Sequence, residues 1–289
     1  MNEQGTRFLD AIAAGPLVMD AAMGTRLMSR GLDLNDRSDG SALWNLTHPD
    51  VVAEIHALDV AAGADVLLTN TFLASRIWLE PRGYGNRVTA INRRAAAMAR
   101  EAAGPDRFVL GSIGPTAAHE GSLGDYAEQA EALADAGVDG LLFETHFYGQ
   151  AHVALSTVRG LVTIPLFVSS HGWTISRVPH LLGMIDNMGI FGIGVNCVRG
   201  MDAAVKWAAM LGTVTRLPIL IKPSGTTNNR IRRDDNPASF ARAVPALVAS
   251  GARLIGGCCG TTEAHVAALR GACYDPAIRM QAGRQPRRA

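Results

Sequence analysis

Ser250-Gly251-Ala252-Arg253-Leu254-Ile255-Gly256-Gly257-Cys258-Cys259-Gly260-Thr261-Thr262-Glu263 carries one full unit of the pattern from which the chain is built. Gly251 closes a helix at its C′ position, where a residue without Cβ takes the left-handed conformation at little cost. A short apolar run from Ala252 to Gly256 reads as a buried strand. The glycines around the cysteines then turn the chain tightly, and Thr261 or Thr262 caps a helix through His265, Val266, Ala267, Ala268 and Leu269. Packing requires no pair of thiols at the mouth of a strand.

The same junction recurs at Ala62-Gly63-Ala64-Asp65 and Ala136-Gly137-Val138-Asp139. Eight apolar runs can be read, at 16–20, 64–70, 108–112, 138–144, 165–170, 191–197, 217–222 and 252–256. Helical patterns fill the intervals at 50–62, 86–103, 125–136, 148–160, 177–188, 201–212 and 237–249, with 262–271 after the last strand. Near-continuous apolar strands alternating with helices predict a parallel sheet covered by helices. Eight such units in 289 residues predict a single (β/α)8 TIM barrel of the α/β class. An open doubly wound sheet would want Gly-x-Gly-x-x-Gly after its first strand, and Asp20-Ala21-Ala22-Met23-Gly24-Thr25 does not supply it. A short N-terminal helix over 1–15 carries Phe8, Leu9 and Ile12 on one face. The barrel is expected over 1–275. The basic segment 276–289, with Arg279, Arg284, Arg287 and Arg288, is expected to fray.

Composition narrows the function. A net charge of +1 gives no field that favours nucleic acid or a membrane surface. No apolar run approaches the roughly 18–20 residues that span a bilayer, and the N-terminus has no signal-peptide pattern. A cytoplasmic protein is expected. Arg82, Arg87, Arg93, Arg94 and Arg100 read as a solvated face. Four cysteines in a chain of this length do not make a disulfide scaffold. Of these, Cys273 reads as a small packing residue.

In such a barrel the C-terminal strand ends meet on one face, where chemistry is done. Those ends carry Asp20, Asn70, Ser112, Glu144, Ser169 with His171, Asn196 with Cys197, Lys222, and Cys258 with Cys259. Cys197 closes the sixth strand and the cysteine pair follows the eighth, so three thiols share one rim. Three thiolates with one coordination position left open are a catalytic zinc pattern, and soft ligands favour zinc over magnesium or calcium. Such a site suits a substrate thiol held as thiolate, and S-alkylation is the natural reaction class. His146 and His171 read as polar rim histidines rather than further ligands. Lys222 reads as the partner of an acid. A zinc-thiolate sensor without turnover and a metal-dependent barrel hydrolase are the competing classes. The hydrolase would prefer His and carboxylate ligands.

The sequence resembles the zinc-dependent homocysteine S-methyltransferases. This family includes the betaine and S-methylmethionine enzymes and the homocysteine domain of cobalamin-dependent methionine synthase. The likeness rests on Asp20-Ala-Ala-Met-Gly-Thr25, Thr69-Asn-Thr-Phe72, Gly111-Ser-Ile-Gly-Pro115, Phe143-Glu-Thr145, Gly194-Val-Asn-Cys197 and Gly256-Gly-Cys-Cys-Gly-Thr-Thr262. The resemblance implies zinc held by Cys197, Cys258 and Cys259, with homocysteine sulfur at the open position. It also implies an amino group held by Asp20 and Glu144, with Asn70, Thr71 and Asn196 completing the substrate-binding set. The catalytic set so implied is Cys197, Cys258, Cys259 and Glu144.

Several positions depart from that pattern. Ala21 and Ala22 stand where the family has glycines, and their methyls would crowd the backbone near substrate. Leu73 stands where the betaine enzymes carry a tyrosine of the cation cage, so betaine is disfavoured unless Trp44 or Trp173 supplies a ring. Lys222-Pro223-Ser224-Gly225 resembles the Lys-Pro-Asn-Ala-Gly turn of the cobalamin-dependent group. The expected donor is S-methylmethionine or S-adenosylmethionine. The alternative is methyl transfer from a separate corrinoid protein, or another donor or thiol. A monomer or homodimer is expected.

Overall fold

The computed structural model describes residues 3–36, 38–116, 122–171, 173, 175–185, 188–225 and 235–283. Eight parallel strands follow one another around a ring: β1 Leu17–Val18, β2 Val66–Leu68, β3 Phe108–Ile113, β4 Gly140–Phe143, β5 Leu166–Ser170, β6 Ile190–Arg199, β7 Ile219–Ser224 and β8 Ala252–Ile255. β1 pairs with β8, and a bridge between Met19 and Val66 brings the first strand to the second. Asp65 N–H donates to Val18 C=O at 2.7 Å and Asp20 N–H to Val66 C=O at 3.0 Å, which completes the barrel. Helices lie between the strands, so the expected TIM barrel is the fold.

The three junction glycines take left-handed backbone, with φ of +96° at Gly63, +81° at Gly137 and +98° at Gly251. Each lets a helix end and the chain enter a buried strand without a Cβ clash. The acids that follow them also fix register. Asp65 accepts from Val18 N–H at 2.9 Å and Asp139 from Val109 N–H at 2.6 Å, each tying its strand to the preceding neighbour.

Strand side chains alternate between two apolar layers. One set, with Val18, Leu67, Val109, Leu141, Val168 and Ile221, packs outward under the helices. The other, with Met19, Leu68, Leu110, Leu142, Phe167, Leu220 and Leu254, fills the barrel interior. Phe8 and Ile12 from the N-terminal helix Glu3–Ala14 belong to that interior set. The Phe8 ring centroid lies 4.9 Å from Phe108 and 5.6 Å from Phe167. The short amphipathic helix is therefore the plug of the barrel floor.

The frayed tail is corrected over its first part. Pro276–Gly283 form a helix that buries Ile278 and Ala282. Arg253, at the position that Asp65 and Asp139 fill in the other junctions, donates to Ala282 C=O at 3.1 Å. Residues 284–289, including Arg284, Arg287 and Arg288, lie outside the described residues.

Candidate active site

The turn after β8 is pinned by its neighbours. Gly256 N–H donates to Ile221 C=O at 3.0 Å, Gly257 N–H to Asp20 C=O at 3.1 Å, and Cys258 N–H to Pro223 C=O at 2.8 Å. The Thr261 hydroxyl donates to Cys258 C=O at 2.7 Å and accepts from Ala22 N–H at 3.1 Å. A Cβ on Gly257 would stand 2.2 Å from Thr261 Oγ1, so a glycine there is a steric requirement. Cys258 and Cys259 thus project from a backbone held on both sides.

Cys197 meets them from β6. Its φ is +53°, and the register of β6 on β7 slips between Asn196 and Arg199. Cys197 Sγ lies 3.7 Å from Cys259 Sγ, and the sulfurs of Cys197, Cys258 and Cys259 all fall within 4.8 Å of one another. Sulfurs bound at ~2.3 Å to one tetrahedral zinc stand roughly 3.8 Å apart. Spacing and softness of the donors therefore fit such an ion. On their own the thiols compete for protons. Hydrogen bonds from Cys197 and Cys258 draw Cys259 down to about 3. The bonds Cys197 makes to Cys258 and Cys259 push its own thiol far up.

An acid pair converges beside the thiols, with an ammonium between the two carboxylates. Glu144 Oε2 accepts from Ser112 Oγ at 2.6 Å, and Lys222 Nζ donates to its Oε1 at 3.3 Å. Asp20 Oδ2 accepts from Leu68 N–H at 2.7 Å. Its Oδ1 lies 3.7 Å from Lys222 Nζ and has no hydrogen-bond partner among the described residues. All three are buried. Burial pushes the Asp20 carboxyl up to about 7, against the pull of Lys222. Burial also works against the Lys222 ammonium, but Glu144, Asp20 and Cys258 outweigh it and hold its pKa above the usual lysine value.

Asn196 faces Thr145 and Ser169. Its Oδ1 accepts from Ser169 Oγ at 2.8 Å and from Thr145 N–H at 3.1 Å, while Nδ2 donates to Thr145 Oγ1 at 2.8 Å. Asn70 Nδ2 donates to Ser41 C=O at 2.7 Å and to Asn45 Oδ1 at 3.2 Å. The Thr71 hydroxyl donates to Ser112 C=O at 2.6 Å. These side chains tie the strand-end loops together. From their sequence positions Ser112 and Ser169 read only as strand ends, and Thr145 and Thr261 carry no mark of bracing. A hydroxyl closing an apolar strand is the available signal.

Other expectations are corrected. His146 is buried, not on the rim. Its Nδ1 lies 2.8 Å from Glu144 C=O and its Nε2 3.0 Å from Tyr126 Oη. Burial drops its pKa to about 4. His171 is exposed and meets Phe147 edge-on at 5.2 Å. Neither indole offers a free face. Trp173 is buried, donates to His146 C=O at 2.9 Å and stacks with Tyr148. Trp44 is buried, stacks on His48 at 4.2 Å between centroids and donates to Asp39 Oδ1 at 2.9 Å. The Ala21 methyl joins the apolar layer under the helices. Arg100 is not wholly solvated, since it pairs with the buried Asp139 at 2.5 Å.

A parallel barrel with three clustered thiols and an acid pair at one end has the layout of an α/β enzyme, with a group of sulfurs that could hold a metal ion. The homocysteine S-methyltransferase family model matches residues 17–273, and the chain belongs to that family. It is 31% identical over 295 residues to methionine synthase of Mycobacterium tuberculosis, covering 90% of this chain and 25% of that one. Methionine synthase of Mycobacterium leprae is 30% identical, with 96% and 26% covered. The chain thus spans about a quarter of the length of these relatives. The metallated form of the homocysteine methyltransferase MmuM from Escherichia coli superposes with a TM-score of 0.75 and 25% identity, covering 89% of this chain and 96% of that one.

Proposed function

We propose that the protein moves a methyl group from a small sulfonium donor, S-methylmethionine or S-adenosylmethionine, to the sulfur of homocysteine, giving methionine. The observation that carries this reading is the convergence of Cys197, Cys258 and Cys259 beside the Asp20–Glu144 pair. Cys197, Cys258 and Cys259 would hold zinc, which would supply a Lewis acid that lowers the pKa of a substrate thiol toward neutral pH. Asp20 offers Oδ1, which accepts no hydrogen bond among the described residues, to the substrate ammonium. Ser112 and Lys222 hold Glu144 in place beside it. Asn196 and Thr145 fix the strand ends from which Cys197 and Glu144 project, and Asn70 and Thr71 shape the neighbouring loop. With the acceptor so aligned, its sulfur forms a bond to the methyl carbon as the bond from that carbon to the donor sulfonium breaks. The electron pair stays on the donor sulfur, which leaves as a neutral thioether, and the thiol proton passes to solvent.

Among the described residues no helix is long and apolar enough to cross a membrane. Three free thiols in one cluster suit a reducing compartment, and we place the enzyme in the cytoplasm, as a monomer or homodimer. A second reading draws the methyl from a corrinoid carried by a separate protein. It is favoured by the identity to methionine synthases and by the Lys222-Pro223-Ser224-Gly225 turn.

Zinc-loaded protein incubated with homocysteine and S-methylmethionine, S-adenosylmethionine, betaine, dimethylsulfoniopropionate or methylcobalamin tests both. Methionine formation from a sulfonium donor without added protein is expected. Turnover that requires a methylcorrinoid protein would replace the first reading with the second, and no methionine in either arrangement would remove both.

A further inference from the structure

A buried lysine stands where the acid pair would otherwise face a ligand alone. Lys222 Nζ is 3.3 Å from Glu144 Oε1 and 3.7 Å from Asp20 Oδ1, with a side chain only 5% exposed. Its place is fixed by the fold. Lys222 pairs in register with Asn196, the residue before Cys197, and Pro223 accepts the Cys258 N–H. A long cation buried at a strand end needs an anion within reach. Here Glu144 is the hydrogen-bonded partner, and Ser112 takes the other oxygen of that carboxylate.

This arrangement changes what the pair can recognise. Two carboxylates alone would grip an incoming ammonium from both sides. With Lys222 between them, one of their two charges is already neutralised by the protein. Asp20 Oδ1 is left as the open acceptor, since Oδ2 is occupied by Leu68 N–H. The acceptor's amino group therefore meets one oxygen and a neighbouring like charge, which weakens its hold.

We propose that Lys222 is a specificity-determining residue of the thiol-acceptor site. It lowers the site's dependence on the α-amino group, so that the pocket takes thiol carboxylates lacking that group nearly as well as homocysteine. The inference rests on the acceptor site argued under Proposed function. It deepens that reading by adding a class of acceptor, the short ω-mercapto carboxylic acids.

Calorimetric binding of L-homocysteine and of 4-mercaptobutanoate, its counterpart without the amino group, decides the matter. Each is titrated into the zinc-loaded wild type and into Lys222→Met and Lys222→Gln. The glutamine variant keeps a polar contact for Glu144, so one variant stays informative if the methionine form does not fold. In the wild type the two thiols should bind within about tenfold of each other. In either variant the preference for homocysteine should widen by a further factor of about ten or more, the scale of a charge-assisted hydrogen bond. A general loosening of the site would weaken both thiols alike and leave the ratio unchanged. An unchanged ratio in a folded variant, or a wild type that rejects 4-mercaptobutanoate by over about a hundredfold, overturns the proposal. Failure of both thiols to bind the wild type removes the acceptor reading itself.

Discussion

Asn196 and Thr145 clasp one another across the ends of β6 and β4. Thr145 N–H donates to Asn196 Oδ1 at 3.1 Å and Asn196 Nδ2 donates to Thr145 Oγ1 at 2.8 Å. The clasp sits beside both positive-φ residues other than glycine found among the described residues, Thr145 at +66° and Cys197 at +53°. Such backbone costs on the order of 1–3 kcal/mol and persists where surrounding contacts over-determine it. Thr145 follows Glu144, and Cys197 follows Asn196. The strain therefore goes into aiming an acid and a thiol at the same point.

Asn196→Ala should loosen that aim. It leaves the half-buried Thr145 N–H without its acceptor, a loss of about 1 kcal/mol in folding stability. Zinc affinity should fall by roughly 10–100-fold, as for other residues that orient a ligand without touching the metal. Asn196→Asp keeps an acceptor for Thr145 and Ser169 and should lose less. Chelator competition for zinc, alongside urea unfolding, reads the two effects. Unaltered zinc affinity in a folded Asn196→Ala protein would show that the clasp is structural alone.

The cysteines should separate cleanly by role. Cys197→Ser and Cys258→Ser should each bring zinc from about one per chain to near none after dialysis, because two soft ligands hold the ion poorly. Cys273 is fully buried at the end of the helix Glu263–Cys273 and stands outside the thiol cluster, so Cys273→Ala should keep zinc at wild-type stoichiometry. Elemental analysis gives the answer. Full retention of zinc in Cys258→Ser would contradict the three-thiol site.

Much of this is legible in the chain. The strands show themselves through apolar runs, and the junction glycines through the left-handed turn that each helix end requires. The thiol cluster follows from placing Cys197 and Cys258-Cys259 on one rim. What the sequence does not separate is inside from outside. In strands buried on both faces, Met19 and Val18 look alike, so the role of Phe8 as a floor plug is hidden. His146 escapes the sequence for a related reason. It follows a strand end, yet the chain turns its ring inward to Tyr126. Partner choice is equally hidden, since the position of Lys222 gives no sign that it pairs with Glu144 more closely than with Asp20.

Buried histidines should make the protein acid-sensitive. His146 and His56 are both held near 4 by burial, against a usual value of 6.5, and His56 has no hydrogen-bond partner for either ring nitrogen among the described residues. A depressed folded pKa means that unfolding takes up a proton between about 4 and 6.5. Stability is then full above 6.5 and is lost as pH falls toward 4, by up to about 3 kcal/mol for each group. Asp20, raised to about 7, works in the opposite sense, since its stabilising share is lost as pH rises through that value. Thermal unfolding of His56→Gln and His146→Gln across pH 4 to 7 should therefore show a shallower acid slope than the wild type. An identical slope in both variants would place the acid sensitivity elsewhere.

The C-terminal helix should prove integral to the barrel. Ile278 is 8% exposed and Ala282 3% exposed, and Arg253 at the start of β8 donates to Ala282 C=O. Arg279 lies over the Tyr274 ring at 3.9 Å, and Tyr274 donates to Asp65 Oδ1 at 2.7 Å. Asp65 in turn holds Val18 N–H, so the helix bears on the strand contact that closes the ring. Ending the chain after Asp275 would expose apolar surface worth about 2 kcal/mol for Ile278 alone. It would also leave the Arg253 guanidinium, whose pKa burial already lowers, short of an acceptor. A loss of about 3 kcal/mol in urea unfolding is expected. Arg253→Ala in the full chain should show part of that loss, because it removes the anchor while the helix remains. A truncation at Asp275 as stable as the full chain would return the segment to the frayed tail that its composition predicts.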